Sequence, residues 1–200
     1  MIITYQNIIV ACWAIFIIVW GALAFNVKRD IRGSYGNASR QFWQLRFVAA
    51  IVLIFFSLRI ATARVHYANS ALIFSYNIFP RSLFLGWTAA VLSVVGLSFA
   101  IWARVHLGRN WSSRPAVKEH HELVTTGPYA YVRHPIYTGI IMMAFATALT
   151  VSIFGIGVFV IASFTYISRI GKEEKIMLEL FPKEYPEYRK RTKALIPFVL

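Results

Sequence analysis

Apolar positions in this chain come in long unbroken runs, not in the period-two alternation of a half-buried strand or the stripe of a soluble amphipathic helix. The first 27 residues carry no charged side chain, and Ile8 to Phe25 is almost wholly apolar. A cleavable signal would begin on basic residues and end at a small-residue cleavage site. This segment does neither and predicts a retained transmembrane helix. Ser82 to Ala103 predicts a second span, long enough for a hydrocarbon core of about 30 Å. Residues 47–58 form a weaker candidate between Arg46 and Arg59. Both arginines can snorkel from a helix running from near Gln41 to near Ala63. A re-entrant segment is the competing reading. Residues 65–80 are uncharged but dotted with Asn69, Ser70, Ser75 and Asn77, as in an interfacial loop.

The last apolar block runs from Ile136 to Ser168, 33 residues without a formal charge. One helix of that length would be about 50 Å long, more than a bilayer needs. Two ordinary spans of about 20 residues with a turn would need more chain than it offers. A tight hairpin turning near Thr150, with short or tilted arms, fits best. That geometry brings Arg133-His134 and Arg169 to one face.

Composition sharpens this picture. The chain has 200 residues, 58% hydrophobic and 14% charged, with a mean hydropathy of +0.59. Soluble domains run near 25% charged, so the expected class is all-α, a multi-pass transmembrane helical protein. One cysteine, Cys12, forms no internal bridge, and no Cys/His zinc set is present, so no metal is expected. The net charge of +13 fits anionic headgroups and the positive-inside rule. Nucleic acid is not expected as a partner. Eighteen of the 21 Lys and Arg residues fall in 26–46, 104–133 and 169–200, leaving Arg59, Arg64 and Arg81 in 59–82. About five spans then place the N-terminus outside and the C-terminus in the cytoplasm. The chain reads as one integral membrane domain over 1–200, with spans mainly in 1–104 and the polar chemistry in 105–200.

Three polar clusters share the predicted cytosolic face. The first holds Gly108-Arg109-Asn110-Trp111-Ser112 and His120-His121-Glu122-Leu123-Val124. A juxtamembrane segment with Trp111 in the aromatic belt is its plain reading. The second is Thr126-Gly127-Pro128-Tyr129 through Arg133-His134-Pro135-Ile136-Tyr137-Thr138-Gly139. Pro135 suits the first turn of a helix, whose free N–H groups would attract an anion. Arg133 and Tyr137 also serve as plain interface anchors. The third is Arg169-Ile170-Gly171-Lys172-Glu173-Glu174, where Arg169 and Glu173 are four apart and share a helical face. A surface ion pair is the plain reading. The functional one is a guanidinium that grips a carboxylate bidentately, beside an acid for an amine or ribose. The tail, Leu180 to Arg191, fits an interfacial cap over the hairpin mouth.

The ordered combination H-x-L-V, T-G-x-Y, R-H-P-x-Y-x-G, an apolar hairpin, R-x-x-x-E-E and F-x-x-E-Y-x-x-Y resembles the isoprenylcysteine carboxyl methyltransferase family. Here these are His121 to Val124, Thr126 to Tyr129, Arg133 to Gly139, Arg169 to Glu174, and Phe181 to Tyr188. The resemblance implies a multi-pass enzyme using S-adenosylmethionine to methylate the C-terminal carboxylate of a prenylated cysteine or a similar amphiphile. It implies a cytosol-facing cofactor region contacted by His121, Glu122, Leu123, Val124, Tyr129, His134, Pro135, Ile136, Tyr137 and Glu173. It also implies that Arg169 holds the substrate carboxylate as the catalytic residue. The lipid bilayer and the amphiphilic substrate are the expected partners. The expected location is the inner membrane in a prokaryote or the endoplasmic reticulum in a eukaryote.

Two other classes compete. A phospholipid N-methyltransferase would need a base to deprotonate its amine, and Arg169 favours an anionic acceptor instead. A membrane scaffold or transport subunit would bind no cofactor, and the clearest spans hold none of the charges that a transport pathway usually carries.

Overall fold

The helix Leu83–Leu107 buries mostly small residues, with Leu97 and Arg104 beside them, and turns most of its large ones outward. Gly86, Ala89, Ala90, Ser93, Gly96, Ala100 and Ala103 are buried. Phe84, Trp87, Val91, Val94, Val95 and Trp102 face outward, Phe84 with 78% of its surface exposed. Water would favour the reverse. Lipid tails are as apolar as leucine, so in a membrane small residues move inside, where they let backbones approach.

The computed structural model describes residues 4–23, 30–33, 82–111, 116–118, 122–150 and 153–197. These belong to the compact unit built from Met1–Ser34 and Asn77–Leu200. In chain order they form helix α1 (Tyr5–Leu23), strand β1 (Asp30–Gly33), helix α2 (Leu83–Leu107), strand β2 (Ala116–Lys118), and helices α3 (Pro135–Thr150), α4 (Ile153–Leu180) and α5 (Glu184–Arg191). Tyr5–Leu23 and Leu83–Asn110 are long and apolar enough to cross a membrane. The weaker span expected at residues 47–58 lies outside the described residues.

Helices α1 and α2 run parallel. The Tyr5 ring packs on Gly86 near both starts, and Arg104 Nη2 donates to Leu23 O at 2.7 Å near both ends. Helix α3 runs back along α2, and the two cross where both backbones are bare: a Cβ on Gly96 would sit 2.7 Å from Gly139 O. Trp13 Nε1 donates to Thr147 Oγ1 at 3.0 Å and ties α1 to the far half of α3. Local signals set the ends. Ser82 caps α2 with its side chain accepting from Leu85 N. Gly108, at φ +55°, closes α2 in a conformation that suits glycine.

The hairpin forms where the uncharged block predicts it, with α3 ending at Thr150 and α4 beginning at Ile153. The expectation that the last span closes near Arg169 is incomplete. Helix α4 has 28 residues against 16 in α3, about 42 Å against about 24 Å. Its second half, from Arg169 to Leu180, overhangs the start of α3 and forms a wall there. The helical class holds. It gains a two-stranded antiparallel ladder pairing Asp30 with Lys118, Arg32 with Val117 and Gly33 with Ala116. Three or four residues per strand are too few for a periodic signal.

Gly139→Leu is expected to overpack the α2–α3 crossing and cost about 1–3 kcal/mol, read as a lower unfolding temperature in detergent. Gly157→Ala, where a Cβ meets nothing within 4 Å, leaves that temperature unchanged. Equal stability of Gly139→Leu and the parent contradicts this packing.

Candidate active site

The start of α3 is wrapped by the chain's last residues. Arg133 N donates to Lys193 O at 2.8 Å and His134 N to Ala194 O at 2.9 Å. Thr138 Oγ1 donates to Leu195 O at 2.7 Å. Tail carbonyls thus take the two N–H groups just ahead of the helix. The tail is also held from below: Tyr188 O–H donates to Tyr129 O at 2.6 Å, and Arg133 Nη1 donates to Thr192 O.

Opposite this start stands the overhang of α4, and alternating charges join the two. Arg133 Nε donates to Glu174 Oε1 at 2.8 Å, both side chains 9% exposed. Arg169 Nε donates to Glu173 Oε1 at 2.7 Å, and Tyr137 O–H donates to the same oxygen at 2.5 Å. His134 lies between the two acids, with Nδ1 3.6 Å from Glu173 Oε2 and Nε2 3.5 Å from Glu174 Oε1. Those are ion-pair distances, and among the described residues Nε2 has no partner in hydrogen-bonding geometry. The imidazole stacks on Tyr137 with ring centres 5.6 Å apart, and Tyr137 leans on Tyr166 at 4.7 Å.

This arrangement sets the protonation states. Burial opposes the charge on Glu173, but His134, the Arg169 guanidinium and the Tyr137 hydroxyl outweigh it and hold the carboxyl below its usual 4.5. Burial likewise opposes the charge on Glu174, yet His134 and Arg133 bring it down to about 2. Burial works against a charged His134 as well, and the two carboxylates overcome that and raise it above 6.5. Neither acid is a proton acceptor near neutral pH.

A cavity opens between the end of α2, the segment 122–129, the start of α3, the α4 overhang and α5. Of the residues singled out from the sequence, it brings together Glu122, Leu123, Val124, Tyr129, His134, Ile136, Tyr137 and Glu173. Pro135 is buried as the first residue of α3 and is not part of the lining. Arg169 stands one helical turn below the lining, bonded to Glu173, with its guanidinium 5.9 Å from the centre of the Tyr137 ring. His121 lies outside the described residues. The site residues named from the sequence left out Leu107, Asn110, Trp111, Arg133, Ile176, Met177, Tyr185 and Tyr188, which also line the cavity. The tail tyrosines were visible only as a cap, and the role of Arg133 depends on backbone carbonyls that no sequence pattern displays.

Fold and cavity together define a helical protein of membrane character, with a polar, ion-paired pocket at one end of its bundle. Residues 87–179 match the model of the Isoprenylcysteine carboxyl methyltransferase (ICMT) family. This is the family whose motifs the chain resembles, and the match covers somewhat less than half of the chain. The chain is 32% identical over 124 residues to the protein-S-isoprenylcysteine O-methyltransferase of Dictyostelium discoideum, covering 58% of this chain and 51% of the relative. It is 34% identical over 117 residues to the nickel-cobalt-cadmium resistance protein NccN of Alcaligenes xylosoxydans xylosoxydans, covering 56% and 52%. These matches span about half the length of either relative. A solved structure of the eukaryotic intramembrane Ras methyltransferase ICMT aligns with a TM-score of 0.47 and 21% identity, covering 78% of this chain and 66% of that one.

Arg133→Ala takes the hydrogen-bonded partner from a buried acid, which keeps only the ion-pair contacts of His134 and Arg189 at 3.5 Å, and is expected to cost a few kcal/mol, at most about 3–5, whereas Lys190→Ala breaks an exposed pair with Glu187 and changes stability little. Thermal unfolding of the two variants checks the contrast. The pH profile follows from the shifts. The raised His134 contributes stability in full below 6.5 and loses it as pH rises through its raised value. The lowered acids contribute above 4.5 and lose it as pH falls through theirs. Unfolding temperature therefore declines on the alkaline side in the parent, and His134→Gln flattens that decline. A variant with the parent's alkaline limb contradicts the assignment.

Proposed function

We propose that this chain is an S-adenosylmethionine-dependent membrane methyltransferase. Its acceptor is the C-terminal carboxylate of an S-isoprenylcysteine or a similar amphiphilic carboxylate, and its product is the methyl ester. The observation that carries this reading is the position of Arg169: one turn from the cavity, on the side of the apolar hairpin, with Nε committed to Glu173. Among the described residues its terminal nitrogens make no other hydrogen bond, so two parallel donors are available for a carboxylate.

The donor set suits the cofactor. Leu123, Val124, Tyr129, Ile136 and Tyr137 offer an apolar and aromatic lining, and Glu173 a fixed negative charge. Glu122, His134 and, from the resemblance, His121 and Pro135 complete the group. Bound there, S-adenosylmethionine supplies a methyl group on a positively charged sulfur. Glu173 keeps its charge because Tyr137 and Arg169 both donate to it, so it can hold a cationic ligand without taking up a proton. Arg169 orients the acceptor. A carboxylate is already ionised at neutral pH and needs no base, which fits acids held well below neutrality. Alignment of two bound reactants supplies several kcal/mol of the barrier.

The same reading assigns a single integral membrane domain with its C-terminal half on the cytosolic side. A charged cofactor then arrives from water, and a lipid-modified acceptor arrives from the bilayer. An amine acceptor would require a proton sink that neither Glu173 nor Glu174 provides.

Arg169→Ala is expected to lower turnover by at least a hundredfold while leaving cofactor affinity within a few-fold, since it removes acceptor alignment. Glu173→Gln weakens cofactor binding instead. Steady-state kinetics and calorimetry on protein in nanodiscs separate the two, and full turnover in Arg169→Ala overturns its role.

A further inference from the structure

The end of α2 carries a feature that the charged cluster does not use. Arg104 is 2% exposed and is spent on structure. Its Nη1 donates to Gly108 O at 2.9 Å, its Nη2 to Leu23 O, and its guanidinium lies 4.4 Å from the centre of the Trp111 ring. Those contacts fix the turn Gly108–Asn110, whose last residue and its neighbour Trp111 line the cavity. In that turn Asn110 Oδ1 is buried and has no hydrogen-bond partner among the described residues. A buried polar atom left unsatisfied is costly, so a carboxamide kept in this wall calls for a ligand group to complete it.

Which group follows from the layout. Helix α2 packs on α3, and α3 packs on α4, so Asn110 and Trp111 stand across the start of α3 from Glu173. The α4 side is charged and suits a cationic amino-acid end. The α2 side is mainly apolar and aromatic, with Leu107, Trp111, Leu123 and Val124 beside Glu122, and suits a flat heterocycle. A carboxamide carries an acceptor beside a donor, the complement of the adenine edge with its amino group beside a ring nitrogen. We propose that Asn110 and Trp111 form the nucleobase wall of the pocket, with the Asn110 side chain hydrogen-bonding the exocyclic amino group of adenine. Arg104 is the positioning residue behind them. This rests on the cofactor reading above and adds the residue that selects its base.

The test is a double-mutant cycle read by calorimetry on protein in nanodiscs. The ligands are S-adenosylhomocysteine and its 6-desamino purine analogue, and the proteins are the parent, Asn110→Ala and Asn110→Leu. The parent prefers the adenine ligand on the order of tenfold. Both variants lose that preference by weakening the adenine ligand alone, while unfolding temperatures stay near the parent's. The leucine and alanine replacements are both informative because only the amino-group preference is read. An unchanged preference in the variants overturns the role of Asn110 and leaves the cofactor reading standing. Failure of the parent to bind either ligand overturns both.

Discussion

The fold at the polar end of this bundle depends on how a buried carboxylate is kept charged. Removing an ion from water costs several kcal/mol even after the protein relaxes, and leaving it unpaired is worse. Glu173 meets that constraint with Tyr137 and Arg169 on one oxygen and His134 facing the other. Its neighbour Glu174 meets it with Arg133. These partners come from the start of α3 and from one turn lower on α4, so the hairpin has little freedom of register. Sliding α3 by one turn would take Tyr137 and His134 from Glu173 and Arg133 from Glu174. The tail follows from the same constraint, because the arginine that pairs Glu174 also reaches Thr192 O.

Below this cluster a different physics takes over. While many other large apolar side chains point outward, the helices bury Phe16, Trp20, Leu97 and Met143. They associate through bare backbone at Gly96 and Gly139 and through the Trp13–Thr147 hydrogen bond, the usual means of packing when the solvent is lipid. The unequal hairpin arms connect the two regions. Helix α4 is helical through its charged half, so one rigid rod carries Tyr166, Arg169 and Glu173 from the apolar layer to the cavity. An acceptor with an apolar body and a charged end, and a ligand that enters from water, can meet at the junction.

Much of this could be read in the sequence, and what could not has a physical reason. The uncharged block from Ile136 to Ser168 defined the hairpin because its length fits nothing else. The four-residue spacing of Arg169 and Glu173 defined a shared face because helix geometry leaves no choice. The continuation of α4 was hidden because Arg169 and Lys172 look like the end of a span, and helical propensity does not register the difference. The tail's grip on α3 was hidden because it runs through the carbonyls of Lys193, Ala194 and Leu195, which every residue possesses. Asn110 was hidden for a similar reason: its burial depends on a glycine turn held by Arg104, which sits in the sequence as one more basic residue at a helix end.

The central claim is that the Arg169–Glu173 junction presents an amphiphilic carboxylate to a methyl donor. Label transfer from S-adenosylmethionine by the protein in nanodiscs, offered farnesylated N-acetylcysteine and phosphatidylethanolamine side by side, tests it most directly. The account predicts base-labile methyl ester on the farnesylated cysteine and no label on the amine lipid. Label on the phosphatidylethanolamine, or on neither acceptor, would contradict it.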